Sequence, residues 1–307
     1  MNTILHGYDN FRDSETGDVL TVERSTGEVL KTVNVDIPIG SIYYTPEQQK
    51  AYKKRKERER KNEQIRRVNS PLGKFFFVPS DEQFKGIAPE TVTRLIYLST
   101  FMDYENNRLM VSKRISMKRK DLVTVLNVSK ATVSRFWKEI SPTYIVESAN
   151  GLLFTNKDVF KRGRIQNRKF LQYQKFYING VRKLYEATET KNHKRLGCLF
   201  KLLPFINIEF NLLCYPKYIM ETDLEKIELI SIYEFCRWID FDVKHLNDLV
   251  SAYRNICFDV NGRCERFCVL SYDGVNKRNA KICINPHILY NGSDYTKVEV
   301  LGAFCRA

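Results

Sequence analysis

The chain has 307 residues, room for about two ordinary domains, and 50 Lys and Arg against 36 Asp and Glu give a formal charge of +14. With 43% hydrophobic residues it does not read as a disordered chain, and apolar stretches such as Phe210 to Cys214 are far too short for a helical membrane span. No basic-then-apolar leader opens it, and all eight cysteines lie at or after Cys198, so the expectation is a cytoplasmic protein with a polyanionic partner and no membrane role.

Residues 1–47 are acidic, with eight acidic side chains and three basic ones. They hold a ten-residue echo: Glu15-Thr16-Gly17-Asp18-Val19-Leu20, then Ser25-Thr26-Gly27-Glu28-Val29-Leu30. Turn residues followed by β-branched pairs predict short hairpin strands; a loosely ordered acidic arm is the other reading. Residues 48–67 reverse the sign, with ten basic and three acidic side chains, among them Lys53, Lys54 and Arg55. They are fair helix formers with almost no apolar stripe, which predicts an exposed basic helix or a linker over 48–70. Ser70-Pro71-Leu72-Gly73 places a boundary there.

A first domain is expected over 71–165. Pro89 to Met102 has the three-four spacing of an amphipathic helix, Asn106-Asn107 turns the chain, and Leu109-Met110-Val111 is a short strand. Between Arg108 and Lys169 stand fifteen basic and four acidic residues, the second stretch in which the positive charge is concentrated. Within it, Asp121 to Ile140 reads as a helix, a tight turn and a second helix. Asn127 suits a left-handed turn position and Ser129 an N-cap. Val133, Phe136 or Trp137, and Ile140 bury one face. Lys130, Thr132, Ser134, Arg135 and Lys138 are left outward, donors and cations suited to phosphates and base edges, and Ser129 joins them at the helix start. Tyr144-Ile145-Val146 and Leu152 to Thr155 flank an Asn150-Gly151 turn, a hairpin. Lys161, Arg162, Arg164, Arg168 and Lys169 follow it. The wing and this tail are expected to hold phosphates.

The run Leu122 to Ile140 resembles the winged helix-turn-helix of prokaryotic regulators and of plasmid or phage replication proteins, whose loose pattern is xIAxxLGVSxxTVSRxxxxL. Val123, Leu126, Val128-Ser129, Thr132-Val133-Ser134-Arg135 and Ile140 carry the match; Val123 stands for the usual Ala and Asn127 for the usual Gly. Phe154 to Gly163 resembles the close of the wing in the RepL family of Gram-positive plasmid replication proteins. The resemblance covers Glu90 to Gly163. It implies sequence-specific binding of double-stranded DNA.

A second, diverged copy is expected over 191–307. Leu98 matches Leu199, Asn107 matches Asn211, Leu126-Asn127-Val128-Ser129 matches Ile239-Asp240-Phe241-Asp242, and Asn156 and Gly163 match Asn285 and Gly292. The offset grows from 101 to 104, 113 and 129, as insertions in the second copy would make it, with the largest placed around Cys257 to Val275. Chance matching of apolar residues is the other reading. The second copy would expose Asp242, Lys244, His245, Asn247 and Asp248, and carboxylates repel phosphates. Tandem winged helices of unequal role resemble iteron-type plasmid replication initiators at the level of fold. Between the copies, Phe170 to Lys191 reads as an amphipathic connecting helix within 166–190.

The expected fold is mainly α with small β wings, an α+β arrangement of tandem winged helices. The expected function is replication initiation for a plasmid or phage. Transcriptional regulation is the alternative, and an interaction protein binding a host replication or transcription factor is a third reading. A homodimer is an expected assembly. No phosphate loop, His-x-His pair or spaced carboxylate cluster points to an enzyme, and no cofactor is expected. Cys257, Cys264, Cys268 and Cys283 form a weak zinc pattern; buried free thiols are the preferred reading. RNA binding would want exposed aromatic pairs, which the sequence does not offer.

Overall fold

A computed structural model describes residues 8–12, 19–24, 26–32, 46–77, 84–104, 106–163, 173–272, 274–292, 294 and 296–307. It is a mixed α and β structure with small antiparallel sheets. The chain divides into two compact units, 1–66 and 67–307. Among the described residues no helix is long and apolar enough to cross a membrane.

In the first unit, β1 (Tyr8–Arg12), β2 (Val19–Glu23) and β3 (Val29–Thr32) form an antiparallel meander. The Val-Leu ends of the two repeat units start β2 and β3. Gly27, at φ +70°, makes the turn between them, donating from its amide to the Glu23 carbonyl at 2.8 Å. Helix α1 (Pro46–Leu72) is exposed along its described side chains, as its lack of an apolar stripe requires. α1 runs to Leu72 and ends at Gly73, φ +62°, within the expected Ser70-Pro71-Leu72-Gly73 segment.

The second unit holds one large apolar core. β4 (Lys74–Phe77) is the centre of a three-stranded sheet, and Phe75 and Phe77 are fully buried beneath it. A first module follows: α2 (Pro89–Ser99), β5 (Met110–Ser112), β6 (Ile115–Ser116), α3 (Leu122–Leu126), α4 (Lys130–Ile140), β7 (Ile145–Glu147), β8 (Leu153–Thr155) and β9 (Phe160–Lys161). β9 pairs with one edge of β4. The other edge takes β10 (Gln174–Tyr177). Here the expected connecting helix is corrected. Phe176 and Tyr177 are strand residues, Phe176 stacks on Phe75 at 5.2 Å, and α5 begins only at Ile178 and runs to Ala187. An open β4 edge offers the aromatic segment a ladder that its own sequence does not reveal. Phe170 and the rest of 164–172 lie outside the described residues.

A second module holds α6 (His193–Phe200), α7 (Ile232–Trp238), α8 (Leu246–Asn255), β11 (Cys257–Val260), β12 (Arg263–Arg266), β13 (Cys268–Ser271), β14 (Lys281–Ile284) and α9 (Thr296–Phe304). Its backbone repeats several of the first module's hydrogen bonds. Leu109 donates to Leu153 at 2.8 Å and Leu213 to Ile282 at 3.0 Å. Met117 donates to Leu109 and Ile230 to Leu213. Asn107 and Asn211 share a left-handed φ of 58° and 55°, and their side-chain amides donate to the carbonyls of Phe160 and Leu289. Asn127 and Asp240 share φ values of 51° and 53° after α3 and α7. Asn156 accepts the Asp158 amide at 2.9 Å, and Asn285 accepts the His287 amide at 2.8 Å. The glycine pair is the exception: Gly163 sits at φ +114° and Gly292 is not left-handed.

The insertions are now placed. The β5–β6 hairpin becomes a loop of short 3-10 turns over 216–226, lengthening the offset from 104 to 113. The step from 113 to 129 is two events, not one in the wing. The β11–β12 hairpin fills residues 257–266 ahead of β13, and the β13–β14 turn grows by a further six residues. The two modules meet through α2 and α6, which run antiparallel. Thr93 Oγ1 donates to the His193 carbonyl at 2.7 Å, and Gly197 lies so close to Pro89 that a Cβ there would sit 1.6 Å from its carbonyl oxygen.

Candidate nucleic-acid interface

α3 ends because Asn127 turns left-handed, which its short amide tolerates. The Leu126 carbonyl left open by that ending accepts the Tyr185 hydroxyl of α5 at 2.8 Å. Ser129 then starts α4, its Oγ accepting the Thr132 amide at 3.2 Å and lying 3.0 Å from the Thr132 hydroxyl. These two hydroxyls are thus engaged in capping. Val133, Phe136, Trp137 and Ile140 are buried. The opposite face presents Lys130, Ser134, Arg135 and Lys138 to solvent. None of the three cations has an acidic partner within ion-pair reach among the described residues. Glu139, the acid on α4, is turned away and accepts the Ala88 amide at 3.0 Å.

A second set of exposed cations lies in the segment leading into α3. Lys113 and Arg114 are exposed at the β5–β6 turn, and Lys118, Arg119 and Lys120 are exposed at the entry to α3. The Arg119 guanidinium lies 5.0 Å from the centre of the Trp137 ring on α4, which fixes it against the helix. Asp121 is taken up by the Lys118 amide at 2.8 Å. The sequence reading passed over these five residues, although the Lys118-Arg119-Lys120 run was a visible signal.

Other expected contacts fare differently. Arg162 turns inward: its guanidinium donates to the Met102 carbonyl, its amide donates to Asn107 Oδ1 at 3.4 Å, and burial lowers its pKa. It ties β9 to the turn after α2 and is not offered to a phosphate. Lys161 is half-buried on β9. Arg164, Arg168 and Lys169 lie outside the described residues. The first wing turn, Ser148-Ala149-Asn150-Gly151, carries no cation, and Glu147 flanks it, so its expected hold on phosphates is not what its side chains offer. Lys53, Lys54 and Arg55 are exposed on α1, where Arg55 pairs with Glu59 at 2.9 Å.

In the second module α8 keeps the buried register and changes the exposed one. Leu246, Leu249, Val250 and Tyr253 are buried as Val133, Phe136, Trp137 and Ile140 are. Asp248 stands at the position of Arg135, 3.3 Å from His245 Nδ1, and Asp242 caps the Lys244 amide at 3.0 Å. A groove of about 470 Å³ runs between the outer side of α8, at Asp248, Ser251 and Asn255, and the segment Ala187 to Asn192.

All eight cysteines are free thiols. Cys268 and Cys283 line β13 and β14, and burial pushes the Cys283 thiol up to about 12 and that of Cys268 well above its ordinary value. Cys257 is half-buried and Cys264 exposed on the β11–β12 hairpin. Among the described residues no group of three or more His, Cys, Asp or Glu side chains is placed to hold a metal ion. Comparison with protein-family models, curated proteins and solved structures finds no match to this chain.

Proposed function

We propose that this is a sequence-specific double-stranded DNA-binding protein with tandem winged-helix modules, of which the first reads the DNA. The observation that carries the reading is α4: one face wholly buried, the other bearing Lys130, Ser134, Arg135 and Lys138 with no acidic partner. A helix so presented fits the major groove, where its polar side chains meet base edges. Arg119, held against Trp137 of α4, and the exposed Lys113, Arg114, Lys118 and Lys120 suit phosphates. The exposed basic α1 adds sequence-independent affinity. Replication initiation for a plasmid or phage is the specific role proposed, with a winged-helix regulator of a mobile element as the competing one.

Selection of bound sequences from a random duplex pool tests this. Direct repeats favour an initiator, one palindrome favours a repressor, and no enrichment overturns sequence-specific reading. Binding to the selected duplex is expected to weaken steeply with salt and to collapse in K130A/R135A. Duplex binding that survives the double substitution removes α4 from the reading role.

A further inference from the structure

In the second module two cations, Lys277 and Arg278, stand on the β13–β14 turn. The β13–β14 turn is ordered at its tip: Asn276 Oδ1 accepts the Arg278 amide at 3.1 Å, and the Ala280 amide donates to the Lys277 carbonyl at 3.2 Å. Its base is tied to α7, where the Ile232 amide donates to the Ala280 carbonyl at 2.8 Å. Lys277 and Arg278 are exposed with no acidic partner in ion-pair reach among the described residues; Asp273 lies outside them. A third cation, Arg254 at the end of α8, lies 5.0 Å from the Tyr272 ring at the foot of the turn. Beside these charges Val275 is 91% exposed, an apolar side chain held out on an otherwise polar tip. The helix of this module is in the opposite position. Asp248 replaces the arginine, and Val243 and Ser251 stand where α4 has Lys130 and Lys138, so α8 lacks the cations that α4 carries at these three places.

We propose that the second module grips the sugar-phosphate backbone of the same DNA through this wing, while α8 stays out of the groove. Lys277, Arg278 and Arg254 meet phosphates, and Val275 meets the apolar sugar wall of a minor groove. The proposal rests on the first module being the reader. It gives the second module a separate task, affinity without sequence information.

The test uses the full chain and the duplex recovered by selection, with an unrelated duplex beside it, titrated between about 50 and 200 mM salt. K277A/R278A changes only exposed side chains. Its affinity for both duplexes is expected to fall by the same factor, about tenfold, with the salt slope reduced by about two and the preference between duplexes unchanged. An unchanged salt slope, or loss confined to the selected duplex, overturns the proposal. K130A/R135A keeps the two failures apart. If it loses the preference while K277A/R278A behaves as the parent protein, the wing assignment alone falls. If both variants bind as the parent does, the reading of the first module falls with it.

Discussion

α4 and α8 are held by the same backbone and turned to different ends. Their buried residues coincide position by position, and the left-handed turn before each is the same. The rest differs: where α4 has Lys130, Arg135 and Lys138, the second module has Val243, half-buried in a 3-10 turn ahead of α8, and the exposed Asp248 and Ser251. Burial therefore constrains one face of such a helix and leaves the other free to change. Function diverges on the face that packing does not use.

The comparison is broken most severely at the junction of the modules. Gly197 stands where the first module has Ile96, and it is small because the Pro89 carbonyl occupies the space. Gly197→Ala is expected to prevent α2 and α6 from packing, since backbone cannot give way as a side-chain tip does; the loss of a cooperative thermal transition measures it. A variant that melts as the parent does would mean that the two modules are not clamped here.

Next in size are the matched core positions. Phe136→Ala is expected to cost about 3–5 kcal/mol and Leu249→Ala about 2–5 kcal/mol by denaturant titration. Both sit in one continuous core, so each is expected to shift a single transition. Two separated transitions, each moved by one variant, would show that the modules fold independently.

A third effect is acid sensitivity confined to one module. His193 occupies the place of Val92, buried against Tyr185, with Nε2 3.2 Å from the Thr188 carbonyl. Burial, and then the Arg94 charge, push its pKa down to about 4. The unfolded chain therefore binds this proton more readily than the folded one. Stability is expected to be full above about pH 6.5 and to fall by about 3 kcal/mol as pH drops towards 4. His193→Gln should flatten that part of a melting-temperature profile; an unchanged slope would assign the acid loss to other groups.

What the sequence revealed follows from where physics is local. The Asn127 turn, the Ser129 cap and the three-four spacing of α4 depend on neighbours in the chain, so the buried and exposed faces of α4 were legible in the sequence. Anchored matches such as Asn107 with Asn211 were legible for the same reason, because a left-handed asparagine is a local requirement. Pairing between distant segments was not. β10 is a strand because β4 has an edge to fill, and Arg162 points inward because the Met102 carbonyl lies within reach. A basic side chain reads alike in sequence whether it meets solvent or a buried carbonyl, and the wing that lacks cations could be told from the wing that has them only once their turns were placed.

The smallest effect is the most discriminating for that comparison. Asp248→Arg restores to α8 the charge that α4 carries at the same position. If charge alone separated the two helices, the variant would acquire base contacts, and selection from a random pool would return sites with additional fixed base pairs. The other outward positions argue otherwise, since Val243 and Ser251 stand where α4 has Lys130 and Lys138, so one added charge does not rebuild the outward face of α4. The expected result is an unchanged selected sequence with affinity raised by no more than a few fold, and with a salt slope larger by up to about one, because an added cation close to DNA recruits a phosphate without reading a base. New fixed positions in the selected sites would show that α8 reaches the groove and that Asp248 alone keeps it from reading bases.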